Sequence, residues 1–186
     1  HTKYESWEHI PGLAVGGWFD AGDYDIQSRT VVSMTSDLVS LWDMFQPLRD
    51  QTFIDQKTQF VDIHRPDGTP DVIQQIKHGV LNINAQVENI GFVAQGIVQG
   101  NMYQYHHLGD AVTITDGLVY NPSLDPYETD GRTSGTRDDR LVFTGNFSPA
   151  GTMSNVASLA SAARVLKPYY PELAERSLKN ALMLWD

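Results

Sequence analysis

The stretch Gly16-Gly17-Trp18-Phe19-Asp20-Ala21-Gly22-Asp23-Tyr24 decides how the rest of the chain is read. Its two carboxylates, Asp20 and Asp23, stand three positions apart with only the small pair Ala21-Gly22 between them, so both can approach one small volume. Glycine lets the backbone take the conformations that aim such side chains into a cleft. Two neighbouring carboxylates can hold a water and accept its proton, which is general-base chemistry, and the charge of one raises the pKa of the other. Trp18, Tyr24 and Phe19 offer flat apolar faces of the kind that pack against sugar rings. Taken alone, an Asp-x-x-Asp spacing is more often a Gly-rich turn whose aspartates cap the helix that follows.

Outward from this stretch the chain alternates turns and helices. Pro11-Gly12 and Gly16-Gly17 punctuate the approach. Val31, Met34, Leu38, Leu41, Trp42 and Phe45 recur at three- and four-residue spacing and predict a helix over 27–45, closed by Pro47. A second helix opens with Thr69 as cap, Pro70 in the first helical position and Asp71 facing the positive end of the dipole. Its stripe runs through Ile73, Ile76, Val80, Leu81 and Val87. Residues 91–105 read as extended segments or loops, and 110–146 as a long irregular excursion rich in Asp, Gly, Thr and Pro. Long loops in compact domains are usually functional. A third helix is expected over 149–165 with Ser148 as cap, and a fourth from Pro171 through Leu173, Leu178, Ala181, Leu182 and Trp185.

Composition narrows the function. The chain has 186 residues, 41% hydrophobic and 19% charged, which suits one folded domain or part of a larger one. A net charge of −10 repels phosphate backbones and makes nucleic acid a poor partner, whereas a neutral sugar polymer meets no such penalty. With no cysteine, disulfides, thiol nucleophiles and Cys-based zinc sites are excluded. No apolar run has the length of a membrane span. The start at His1 lacks both an initiating Met and a signal-peptide pattern, and the end at Leu184-Trp185-Asp186 lacks a helix stop, so further sequence is expected on both sides.

The run Gly16–Tyr24 resembles the signature of glycoside hydrolase family 9, the inverting β-1,4-glucanases, in which such a stretch precedes a helix and supplies the base aspartates. Pro70-Asp71-Val72-Ile73-Gln74-Gln75-Ile76-Lys77-His78-Gly79 is similar to that family's Pro-Asp-Leu-Leu-Asp-Glu-Ile-Lys-Trp-Gly helix start. His106-His107-Leu108-Gly109-Asp110, Thr115-Asp116-Gly117 and Asp138-Asp139-Arg140-Leu141-Val142-Phe143-Thr144 resemble its bacterial branch. Two departures stand out. Leu141 replaces the aromatic usual after Asp-Asp-Arg, and neither the family's late general-acid Glu nor its His-Arg motif is found.

The resemblance implies a mainly α fold, part of an (α/α)6 toroid, with residues 1–186 as the N-terminal portion of one catalytic domain. It implies hydrolysis of β-1,4-glucosidic bonds in cellulose or a related β-glucan with inversion. Asp23 would be the general base and Asp20 would help to hold the water, while Trp18, Tyr24 and His106 would bind substrate. The rest of the catalytic domain would be a partner, and the location secreted, periplasmic or cell-surface. An exo-acting glycosidase of the same family and a non-catalytic carbohydrate-binding remnant are the alternatives. No cofactor is required for this chemistry, and the six histidines show no transition-metal spacing. The acidic loop of Asp125, Glu128, Asp130, Asp138 and Asp139 has the oxygen ligands calcium prefers, although a solvated loop accounts for it more simply. Asn146-Phe147-Ser148 is a formal glycosylation acceptor, a pattern often met by chance.

Overall fold

Among the described residues, four helices carry most of the core. The computed structural model describes residues 10, 12, 13, 15–19, 26–55, 58, 60–99, 118–125, 127–136, 140–143 and 148–186. Among these, α1 spans Ser28–Phe45, α2 Asp71–Ile90, α3 Pro149–Leu166 and α4 Pro171–Trp185. Seven short strands accompany them: β1 (Ile26–Gln27), β2 (Phe53–Asp55), β3 (Phe60–Asp62), β4 (Gly96–Gln99), β5 (Val119–Tyr120), β6 (Thr133–Ser134) and β7 (Arg140–Phe143). Helix α1 packs on α2 and α3, α2 also meets α3 and α4, and α3 and α4 form a hairpin. No described helix is long and apolar enough to cross a membrane.

Helix α2 is the centre of the molecule. Ile73, Ile76, Val80 and Ile83 are fully buried on it, and each such side chain contributes roughly 1.5–3 kcal/mol of burial. The sequence suggests a single apolar stripe, but in its second half the helix is buried almost all the way round, including Asn82, Asn84 and Gln86. Buried amides are tolerated only when hydrogen-bonded, and these are. Asn84 Nδ2 donates to Ser177 Oγ at 2.8 Å, and Asn180 Nδ2 donates to Asn84 Oδ1 at 2.9 Å. This polar seam joins α2 to α4, whose buried line of Ala174, Ser177, Asn180 and Ala181 is made of small and polar residues that allow close approach.

The helix ends show where sequence signals held and where they did not. Ser148 caps α3 as expected, its Oγ accepting from Gly151 N at 3.1 Å, with Pro149 in the first turn. For α2 the expectation needs correcting. Pro70 is the cap residue and Asp71 the first helical one, with no side-chain cap. Thr69 therefore lies one step outside. Asp71 stands in the first turn as expected and also holds the preceding chain: its Oδ1 accepts from Gln51 N at 3.0 Å and Thr52 N at 2.9 Å, and its own N donates to Arg49 O at 2.7 Å. Helix α1 stops before Pro47, where Gln46 turns left-handed (φ 43°) and donates its N–H to Trp42 O.

The first helix has two apolar faces. Val31, Val32, Thr35 and Val39 are buried, whereas Met34, Leu41, Met44 and Phe45 are exposed. The expected stripe mixed these two lines. Helix α4 repeats the arrangement, with Leu178, Leu182, Met183 and Trp185 exposed.

A three-stranded antiparallel sheet, β1-β4-β7, ties the start of α1 to later chain. Ile26 pairs with Ile97 and Gln27 with Gly96, and Ser28 N donates to Gln95 O at 3.1 Å. Helix α1 is thus held at its first residue by the segment that follows α2. The 110–146 region, expected to be irregular, holds short pairings among its described residues: β5 with β6, and β7 with β4.

Candidate active site

The Gly-Gly-Trp end of the deciding stretch lies on α2, against the second block singled out in the sequence. Gly16 and Gly17 are both left-handed, with φ of 59° and 77°, a region glycine enters freely. Space demands glycine here as well. A Cβ on Gly16 would collide with the His78 backbone oxygen and come within 2.9 Å of Leu81 Cβ. One on Gly17 would come within 2.9 Å of Asn82 Cγ.

This close approach creates a set of hydrogen bonds. Gly17 N donates to His78 O at 3.0 Å, and His78 Nε2 lies 2.6 Å from Gly17 O. A carbonyl oxygen only accepts, so Nε2 carries the proton. One turn earlier, Gln75 Oε1 accepts from Trp18 Nε1 at 3.3 Å. One turn later, Asn82 Nδ2 reaches Val15 O at 3.4 Å. Positions 75, 78 and 82 share one face of a helix. The Trp18 and His78 rings meet edge to face, with centroids 5.6 Å apart, and the Trp18 ring lies over Gly79.

Beneath the surface a second network continues inward. Gln86 Nε2 donates to Asn82 Oδ1 at 2.9 Å, Ser28 Oγ lies 3.2 Å from Gln86 Oε1, and Ala94 N donates to Gln86 Oε1 at 2.9 Å. The stretch is therefore anchored on both sides. Upstream, residues 15–18 rest on α2; downstream, Ile26 and Gln27 pair with β4 and Ser28 reaches the same Gln86.

Charges around this platform are tuned by burial. Desolvation pulls the His78 imidazole below its ordinary 6.5, opposed by the Gly17 bond, so it is neutral at pH 7. Burial also lowers Lys77, while Asp67 and Asp55 pull it back up, and its Nζ sits 4.5 Å from the Tyr170 ring centre.

Of the residues expected to act, Trp18 is described: half-buried, with its indole N–H committed to Gln75. Asp20, Asp23, Tyr24 and His106 lie outside the described residues, as do Asp138 and Asp139 of the acidic loop. Within that loop, Asp130 accepts from Arg132 N at 2.8 Å and Thr133 N at 2.6 Å, and Glu128 from Asp125 N at 3.1 Å. Among the described residues no group of three or more acidic or histidine side chains is placed to hold a metal ion. Sequence reasoning passed over Gln75, His78 and Asn82 as partners of the Gly-Gly turn. Their three- and four-residue spacing was the available signal.

Among solved structures the chain is similar to a metagenome-derived glycoside hydrolase family 9 endoglucanase, with 20% identity and a TM-score of 0.56 over 91% of this chain and 25% of that one. A Bacteroides ovatus family 9 structure matches with 17% identity and a TM-score of 0.55 over 91% and 26%. AaCel9A, in complex with a cellobiose-like isofagomine, matches with 20% identity and a TM-score of 0.55 over 92% and 27%. No protein-family model and no curated protein matches the chain. The fold is accordingly mainly helical and corresponds to part of the (α/α)6 toroid of family 9 structures. The chain spans about a quarter of the length of the structures it matches.

Proposed function

We propose that this chain supplies the catalytic-base part of an inverting β-1,4-glucan hydrolase. The observation that carries the reading is the anchoring of the Gly-Gly-Trp stretch on α2 and of Ile26 and Gln27 on β4. A short segment holding Asp20 and Asp23 is thereby tethered at both ends to rigid elements, which is how positioned catalytic groups are presented. Likeness in fold to family 9 endoglucanases supports the same reading.

In the proposed reaction Asp23 takes the proton of the attacking water and Asp20 helps to hold that water. The water adds to the anomeric carbon as the glycosidic bond breaks, and a distant acid protonates the leaving oxygen. A base acting through water needs the two carboxyl groups roughly 6.5–9.5 Å apart, which suits an acid from a remote part of the sequence. Trp18, Tyr24 and His106 would contact the sugar, and the location would be secreted, periplasmic or cell-surface.

The test is reducing-sugar release by the full-length protein from soluble β-glucans, with Asp23→Ala beside it. Proton NMR of the first product should show the α-anomer before mutarotation. No release from any β-glucan, or initial accumulation of the β-anomer, would overturn the proposal.

A further inference from the structure

The stripe Gln75–His78–Asn82 of α2 meets the Gly-Gly-Trp segment residue by residue, in reverse order. Gln75 takes Trp18, His78 takes Gly17, and Asn82 takes Val15. The His78 contact differs in kind, because both polar groups of Gly17 are satisfied by that one residue. Gly17 N–H goes to the His78 backbone carbonyl, and Gly17 O accepts from the His78 ring. The backbone carbonyl holds the Gly16–Gly17 peptide through its N–H, and the ring holds the Gly17–Trp18 peptide through its oxygen. The imidazole must also carry its proton on Nε2, a constraint no apolar residue of the same size could meet.

From this geometry we infer that His78 is a positioning residue. It fixes the orientation of the Gly17–Trp18 peptide and thereby the course of the chain toward Asp20, three residues on, with Gln75 holding the Trp18 end of the same platform. The inference deepens the proposed function and rests on it for its catalytic consequence. Its structural content stands on the Gly17 and Trp18 contacts alone. Misplacing a reacting group by about 1 Å costs on the order of 10²-fold in rate, so a partial loosening should lower kcat about tenfold.

Three variants of the full-length protein test this. His78→Phe keeps a ring but loses the Nε2 donor, His78→Gln restores a side-chain N–H near the same place, and Gln75→Leu removes the acceptor of Trp18. Two readouts are taken: kcat and KM on a soluble β-glucan, and hydrogen–deuterium exchange by mass spectrometry. His78→Phe should lower kcat about tenfold with KM within about twofold, and His78→Gln should recover most of the loss. Exchange of peptides covering residues 15–19 should accelerate in His78→Phe and return toward the parent rate in His78→Gln, with α3 and α4 unchanged. If His78→Phe does not fold, Gln75→Leu, at a half-buried position, must show the same local acceleration and the same loss confined to kcat.

Unchanged exchange at 15–19, acceleration spread equally over α3 and α4, or a loss lying in KM would overturn the inference. If the parent protein cleaves no β-glucan, the functional reading fails by itself, and the exchange measurement alone decides whether His78 positions this segment.

Discussion

Gly79→Ala places two well-known effects in opposition. In a helix interior Gly is about 1 kcal/mol less favourable than Ala, so propensity alone predicts that the substitution stabilises α2. The surroundings of Gly79 predict the reverse. A Cβ there would fall well inside contact distance of Thr35 Oγ1 and lie 3.0 and 3.2 Å from Trp18 Cη2 and Cζ3. Thr35 is fully buried and its Oγ1 donates to Val31 O at 2.7 Å. Overpacking a closed site costs about 1–3 kcal/mol, and displacing the Thr35 hydroxyl forfeits about 1 kcal/mol more. After subtracting the propensity gain, the net loss is about 1–3 kcal/mol. Urea unfolding followed by circular dichroism should show a lower midpoint at an unchanged slope. The double variant Thr35→Ala/Gly79→Ala, in which the nearest obstacle is gone, should recover at least about 1 kcal/mol relative to additivity. A Gly79→Ala protein as stable as the parent, or more so, would refute the packing of Trp18 and α1 over Gly79.

Gly16→Ala should be worse than Gly79→Ala, because its left-handed backbone costs about 1–2 kcal/mol for a residue with a Cβ and the obstacle is the His78 backbone oxygen, which cannot rotate away; thermal melts compare the two directly. Asp23→Ala should lower kcat by about 10²–10⁴ while leaving the melting temperature nearly unchanged, and an active variant would refute the base assignment. The His78 imidazole has a folded pKa below its ordinary 6.5 because burial disfavours the cation. The unfolded chain then binds the extra proton first, so stability present above pH 6.5 is lost as pH falls through the folded pKa. Urea midpoints measured downward from pH 7.5 should show that loss, and His78→Gln should remove it. Residues 1–186 expressed alone should self-associate in sedimentation and leave β-glucan uncut, since exposed Phe45, Leu48, Leu182 and Trp185 each forgo roughly 1.5–3 kcal/mol of burial; a monomer with glucanase activity would refute this.

Local signals made much of the fold legible in the sequence. Ser148-Pro149 opened α3 and Pro171 opened α4 because caps and proline act within a few residues of themselves. Where the sequence misled, a distant segment had intervened. Pro70 rather than Thr69 is the cap of α2, next to an Asp71 whose carboxylate also accepts from the backbone of Gln51 and Thr52, and periodicity could not separate the two apolar faces of α1. The same holds for the candidate site. Trp18 announced itself by residue type, but Gln75 and Asn82 meet it and Val15 across 57 and 67 residues of sequence. In the linear sequence those amides read as the polar face of an ordinary helix, and only the packed chain shows that they face protein rather than water.

Gln86 has a consequence for how the molecule opens. The Ala94 N–H can only donate, so it fixes which way the Gln86 amide points, leaving the nitrogen for Asn82. One side chain thereby joins the start of α1, the second half of α2 and the connection from α2 to β4, and through Asn82 touches the chain entering the Gly-Gly turn. Segments joined in this way exchange their amides as a single cooperative unit rather than fraying one by one. The approach to Asp20 should thus share the opening free energy of α1 and α2, unlike the separately melting loops on which many enzymes carry their catalytic groups.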